Sequence, residues 1–167
     1  MLITCCQSLN LSHIIYSQRY VRYVVPLFIP FLIFFISGLA ETNRHPFDLP
    51  EAESELVAGY NIEYAGMSFA LFSLAEYSNI LMMCSLNSIF FFGGWLSPFS
   101  ILNFFPSSFW FALKISFFVI LFIYIRAGLP RYRYDQLMSL GWKVLLPLSI
   151  GYLSLTIFII YSFNMFI

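Results

Sequence analysis

Six of the eight acidic residues of this 167-residue chain fall within residues 41–63, ETNRHPFDLPEAESELVAGYNIE, and a seventh, Glu76, follows shortly after. Only Arg44 and His45 offset them locally. Acids gathered this way can hold and pass protons, or simply keep a surface wet. Two features favour proton chemistry over a merely solvated stretch. The acids are interleaved with apolar residues, Phe47, Leu49, Leu56, Val57, Tyr60 and Ile62. The run Asp48-Leu-Pro-Glu51 also reads as a helix start, with Asp48 as N-cap, Pro50 in the first turn and Glu51 where a capping box places it. A helix from there sets Glu51 and Glu55 at i, i+4, where like charges repel. Such repulsion raises the pH at which carboxylates release their protons.

Glu76 is a sharper signal, because it interrupts an otherwise uncharged run from Tyr64 to Leu113. An ionisable group inside a membrane span costs at least a few kcal/mol and usually marks an ion or proton path. The blander reading is a neutral Glu76 bonded to a backbone carbonyl. Lys114 ends that run, and two readings of it stand side by side. It either meets Glu76 across two antiparallel spans, directly or through water, or it snorkels to the interface. The segment RAGLPRYRYDQLMSLGWK (126–143) alternates Arg126, Arg131 and Arg133 with tyrosines and one acid, Asp135. It reads as a topology anchor with interfacial aromatics, as a counter-charge to the acidic loop, or as a docking face for an acidic partner surface.

The elements that must position these groups are membrane helices. The chain is 60% apolar and 10% charged, with a mean hydropathy of +0.84. A soluble domain carries about 25% charged residues, so this is an all-α integral membrane protein. Net charge is zero and the basic residues form no nucleic-acid footprint. Cys5, Cys6 and Cys84 make neither a disulfide framework nor a metal-ligand spacing, and no phosphate-binding Gly-rich loop or zinc motif is present. The 21 phenylalanines have no chemical reading at this level.

A bilayer core takes about 20 apolar residues as helix. Spans are expected at about 23–40, 64–92, 107–125 and 144–165, joined by the acidic loop 41–63, a turn at 93–106 and a basic loop 126–143. Residues 1–22 form an N-terminal lead-in. Four crossings put both charged loops on one side, with Arg44, Arg126, Arg131, Arg133 and Lys143 there against Arg19 and Arg22 opposite. The positive-inside rule assigns that side to the cytoplasm or matrix.

The stretch ETNRHPFDLPEAESELVAGYNIEYAGMSFALFSLAEYSNILMM closely resembles the signature of the membrane subunit at the quinone site of respiratory complex I, known as NADH dehydrogenase subunit 1 or, in bacteria, the H subunit. IRAGLPRYRYDQLMSLGWKVLLPL is similar to the same family's later loop and last span. The resemblance covers about residues 24–160. Ala52 stands where the family often has Gly, and Pro50 where Thr is also common; neither change touches a charge.

The resemblance implies an eight-helix family fold, of which this chain supplies the last four helices. Either a separate chain provides the first four or this sequence is a fragment, and the split subunit is the favoured expectation. It implies a proton-pumping NADH:ubiquinone oxidoreductase, with ubiquinone as substrate at a shared site. FMN and iron–sulfur clusters belong to partner subunits, and this chain binds no cofactor or metal alone. By the resemblance, Arg44, Asp48, Glu51, Glu53 and Glu55 line the quinone chamber or the coupling loop beneath it. Glu63, Glu76 and Lys114 continue a proton path into the membrane. Arg126, Arg131, Arg133 and Asp135 lie at the junction with the hydrophilic arm. Expected partners are the hydrophilic-arm subunits at the quinone site, small neighbouring membrane subunits and the lipid bilayer, with no nucleic acid. The expected location is the mitochondrial inner membrane, with a bacterial plasma membrane as the alternative. Two rival functions remain at this level. A structural scaffold would tolerate neutralised loop acids, and a cation or proton transporter fragment would pass ions in liposomes and usually show an inverted repeat, which the sequence lacks.

Overall fold

A computed structural model of the chain describes residues 1–48, 66–98 and 106–162. Among these residues every regular element is helical. Two short helices, α1 (Leu2–Cys6) and α2 (Leu11–Ser17), precede α3 (Phe28–Glu41), α4 (Met67–Phe92) and α5 (Ser107–Gly128). A last continuous helix runs through α6 (Tyr134–Ser139), a π-helical stretch Leu140–Leu145, and α7 (Leu146–Ser162).

Three helices among the described residues are long and apolar enough to cross a membrane: Met67–Phe92, Ser107–Gly128 and Tyr134–Ser162. The chain is a multi-pass membrane protein. The 14-residue α3 is apolar but shorter, about 21 Å at 1.5 Å per residue. It starts at Phe28 and not near Tyr23, because Val25 and Leu27 close turns back to Arg22 and Tyr23 and Pro26 has no N–H to offer.

The basic segment also differs from the expected 126–143 loop. Arg126 belongs to the last turn of α5, and the final helix already begins at Tyr134. Only Leu129–Arg133 connects the two. The charges of the segment mask a helix whose first turn is acidic at Asp135, on the side where the macrodipole favours it. Gln136 Oε1 accepts the Arg133 backbone N–H at 3.3 Å and so closes that start. The π-helical stretch lies just ahead of Pro147. A proline inside a helix removes one donor and crowds the carbonyl four residues earlier, and a locally widened turn relieves that crowding.

Helices α3, α4 and α5 meet in a phenylalanine core. Phe31 packs edge-on to Phe91 at 5.4 Å between ring centroids, Phe92 to Phe118 at 5.1 Å, and Phe35 to Phe122 at 5.2 Å. Edge-to-face pairs of this kind are worth about 0.5–1.5 kcal/mol each beyond their buried area. Part of the Phe-rich composition therefore has a packing use. Outward faces are also apolar, with Leu74, Ile123 and Phe158 among many large exposed side chains, as lipid contact requires.

The end of α4 shows how polar groups are handled in such a setting. The last four carbonyls of a helix have no partner within it, and inside a membrane each unsatisfied one is costly. Here all four are met. Buried Gln18 donates from Nε2 to Ile89 and Phe90, both at 3.0 Å. Val24 N–H donates to Phe91 at 3.1 Å, and Lys114 Nζ to Phe92 at 2.8 Å. Gln18 of the lead-in thereby becomes a structural part of the membrane region.

Candidate functional site

Two charged groups form where the end of α3, the start of the acidic segment and the α5–α6 connection converge. In the first, Arg44 Nη2 binds Glu76 Oε2. Arg44 follows α3 after its Thr42 cap, and the Thr42 hydroxyl ties itself to the Leu39 carbonyl at 3.1 Å. Glu76 is the tenth residue of α4, about 14 Å from that helix's first residue. The guanidinium also stands over the Tyr77 ring, 5.3 Å from its centroid. A cation between a carboxylate and an aromatic face is held from two directions. Both side chains are largely covered, with 13% and 22% exposure, so the pair is far less screened than a surface one.

In the second, one oxygen of Asp48 faces an arginine and a histidine. Arg131 Nη2 lies 3.6 Å and His45 Nε2 3.5 Å from Oδ2. Asp48 is 7% exposed, Arg131 17% and His45 30%. Asp48 Oδ1 is buried without a hydrogen-bond partner among the described residues. The two segments are also fastened by backbone and ring contacts. Tyr132 N–H donates to the Pro46 carbonyl at 3.0 Å, and the Phe47 and Tyr132 rings stack at 5.8 Å with planes 20° apart.

The expected meeting of Glu76 with Lys114 does not occur. Lys114 Nζ donates to the carbonyls of Phe92, Gly94 and Leu96 at 2.7–2.8 Å. Phe92 lies sixteen residues beyond Glu76 on α4, about 24 Å along the axis. The physical reason is the length of α4. Its 26 residues extend about 39 Å, so residues at comparable depths from opposite ends do not meet. Lys114 instead bends back to its own end of the membrane and caps α4, where the helix dipole is negative.

Of the residues singled out from sequence, the structure brings together Arg44 with Glu76 and Asp48 with Arg131. Arg126, Arg133 and Asp135 lie along the same connection and its flanking turns. Glu51, Glu53, Glu55 and Glu63 fall outside the described residues, as do Pro50, Ala52 and the helix start expected after Asp48. Four contributors were not among the expected site residues: His45, Phe47, its stacking partner Tyr132, and Tyr77. His45 could have been found, since it stands three residues before Asp48. Among the described residues no group of three or more His, Cys, Asp and Glu is arranged to hold a metal ion. The three cysteines, in α1 and α4, are free. An apolar groove of about 430 Å³ lies between the first half of α3 and α7, lined by Pro30, Phe34 and Leu153 among others. It borders the end of α3 remote from Arg44.

The arrangement can do electrostatic work. It places buried carboxylates beside cations, next to one histidine that reaches solvent, on a membrane helix and the loop above it.

A family model described as NADH dehydrogenase matches residues 1–157. The chain is 57% identical over 97% of its length to NADH-ubiquinone oxidoreductase chain 1 of Chondrus crispus, covering 50% of that protein. It is 54% identical over 98% of its length to the NADH-quinone oxidoreductase H subunit of Pelagibacter ubique, again covering 50%. Against NADH-ubiquinone oxidoreductase chain 1 of Arabidopsis thaliana it is 56% identical over 89% of its length, covering 46%. The chain spans about half the length of the curated relatives it matches.

Proposed function

The chain belongs to the NADH dehydrogenase family, and from that membership we propose that it serves in a proton-translocating NADH:ubiquinone oxidoreductase. In this reading it forms part of the quinone-access chamber and of the acidic path that couples quinone reduction to proton movement. The observation that carries the reading is the Arg44–Glu76 pair, a mostly covered ion pair joining a membrane helix to the charged segment. Ionisable groups in that position are expensive and mark charge movement.

Quinone reduction takes two electrons and two protons. The electrons would come from an iron–sulfur cluster in a soluble partner subunit, which also implies FMN elsewhere in the complex. No electron step is assigned to this chain in the proposal. Its own part is electrostatic. Charge appearing at the quinone in a low-dielectric chamber acts strongly on nearby ions. Arg44, Asp48, Glu51, Glu53 and Glu55 would respond first. Glu63 and Glu76 would relay the change into the membrane, with Arg44 switching its hold on Glu76. Lys114 would hold the far end of α4 and accept no proton from Glu76. Arg126, Arg131, Arg133 and Asp135 would face the hydrophilic arm.

The finer architecture belongs to the same proposal. Four crossings, with α3 as the first, would be the last four of an eight-helix fold, the charged segments lying on the matrix or cytoplasmic side. The mitochondrial inner membrane is the preferred location over a bacterial plasma membrane. Partners would be ubiquinone, the hydrophilic-arm subunits and small membrane subunits.

The test has two stages. Native membranes are solubilised gently, their complexes resolved, and this chain located by mass spectrometry against an in-gel NADH dehydrogenase stain. Comigration with the activity is expected, and a second chain with four upstream spans in that band would identify the remaining half. Glu76→Gln should then leave the complex assembled but depress proton-coupled turnover. Normal rate and normal pumping in that variant would remove the proton-path role and restore the scaffold reading.

A further inference from the structure

The acidic segment carries one imidazole, that of His45, a ring whose two nitrogens can donate and accept. Resting on the reading above, we propose that His45 is a proton-handling residue of that path, exchanging protons between solvent and the buried carboxylate of Asp48. Nε2 lies 3.5 Å from Asp48 Oδ2, and the two side chains differ in exposure, 30% against 7%. One partner reaches water and the other does not. Asp48 Oδ1 is buried with no hydrogen-bond partner among the described residues, so the carboxylate has acceptor capacity its described surroundings leave unused.

Among the described residues, the charged groups in contact with this site are Asp48, 3.5 Å from the ring, and Arg131 on the facing connection, which reaches the same carboxylate oxygen. Arg44, the residue before His45, holds Glu76. A direct hydrogen bond needs about 3 Å, so the ring closes on Oδ2 by about 0.5 Å for transfer, a small rotation of a partly exposed side chain. The proton then leaves Nε2 and joins Oδ2, giving a neutral imidazole and a neutral carboxylic acid, with the net charge of the pair unchanged. Arg131 Nη2 lies 3.6 Å from the same oxygen. The proton returns from Oδ2 to Nε2 by the reverse step, and the ring exchanges it with water on its exposed side.

The test uses the assembled complex containing this chain, with His45→Gln and His45→Ala made alongside Glu76→Gln. NADH-driven quinone turnover and proton movement are followed from about pH 5.5 to 8.5, normalised to complex amount on native gels. Both His45 variants are expected to assemble, to lose several-fold in coupled turnover and to depart from the wild-type pH profile. Added imidazole is expected to restore the His45→Ala variant. A wild-type profile in His45→Gln overturns the proposal, as does a loss that imidazole leaves untouched, which would make the ring an ionic clasp only. If Glu76→Gln is impaired while His45→Gln is normal, the assignment of His45 alone falls. If Glu76→Gln is itself normal, it is the acidic-path reading that falls.

Discussion

Lys114 Nζ donates to the carbonyl oxygen of Phe92 at 2.8 Å, and to those of Gly94 and Leu96 at 2.7 Å. One ammonium thus ends α4 and holds the turn that leaves it. Lys114→Met should cost about 2–4 kcal/mol, because charged hydrogen bonds contribute about 1.5–3 kcal/mol each and do not add in full. Thermal unfolding of the solubilised complex checks this. Turnover per assembled complex should stay near wild type, since the ammonium is remote from Glu76; a selective loss of turnover would return Lys114 to the proton path.

Arg44 and Glu76 should behave as one unit. Neutralising either leaves the other's charge mostly covered and without this partner, so Arg44→Met and Glu76→Gln should each destabilise. The double variant should recover part of that loss, with a coupling energy of about 1–2 kcal/mol in a double-mutant cycle. Arg44→Lys should not substitute fully, because a point charge does not lie flat on the Tyr77 ring as a guanidinium does. Additive effects within about 0.3 kcal/mol would show that the pair is not coupled.

Gly93 is the residue at which α4 turns, with φ of +70°. A Cβ added there would collide with Arg22 Nη1, and Arg22 Nη2 itself donates to the Ser97 carbonyl. Gly93→Ala should therefore destabilise the complex by at least about 1 kcal/mol through strain at positive φ. Gly151→Ala, at an open helical position, should be neutral or slightly stabilising. Comparing the two melting temperatures tests the conformational requirement separately from the loss of a glycine as such.

Burial pushes the Cys5 thiol up from its ordinary range, with the neighbouring Cys6 adding to the shift. A raised pKa means less thiolate at any given pH, and the thiolate is the reactive species. Iodoacetamide should modify Cys5 slowly at pH 7, and its rate should still be climbing past about pH 8.5, where an ordinary thiol begins to level off. Fast alkylation at pH 7, followed by peptide mass spectrometry, would mean that α1 does not stay packed.

Much of the architecture was legible because lipid imposes long uncharged runs: α4 and α5 follow directly from the absence of charge between Tyr77 and Leu113. The final helix was harder, since Arg133, Asp135 and Lys143 look like loop residues until their helical spacing is weighed against their charge. The start of α3 was hidden by Pro26, which fixes local turns that hydropathy does not register. At the site, acid density pointed to Asp48 and Glu76 as residues of interest, and both stand in ion pairs. Arg131, 83 residues from Asp48, was legible as a counter-charge to the acidic segment but not to that acid in particular, whereas Arg44, 32 residues from Glu76, was not legible as its partner. Lys114 was paired with Glu76 by counting depth from both faces, an argument that fails once α4 is longer than the membrane core. The cap it provides depends on a side chain bending back toward its own end, which spacing alone does not reveal.

The π-helical stretch Leu140–Leu145 has a consequence for the phase of the last helix. An extra residue in a helical turn rotates every later side chain by about 100° relative to an unbroken helix. Tyr152 lies beyond the stretch and donates from its hydroxyl to the Pro26 carbonyl at 2.9 Å, while Asp135 and the junction with Arg131 lie before it. The stretch thus works as a phase adjuster between two angular registers, one set by the charged junction and one by the contact with the entry to α3. Deleting a single residue there would leave the helix long enough to span the membrane yet turn Tyr152 away from Pro26, uncoupling the two ends of one element without breaking it.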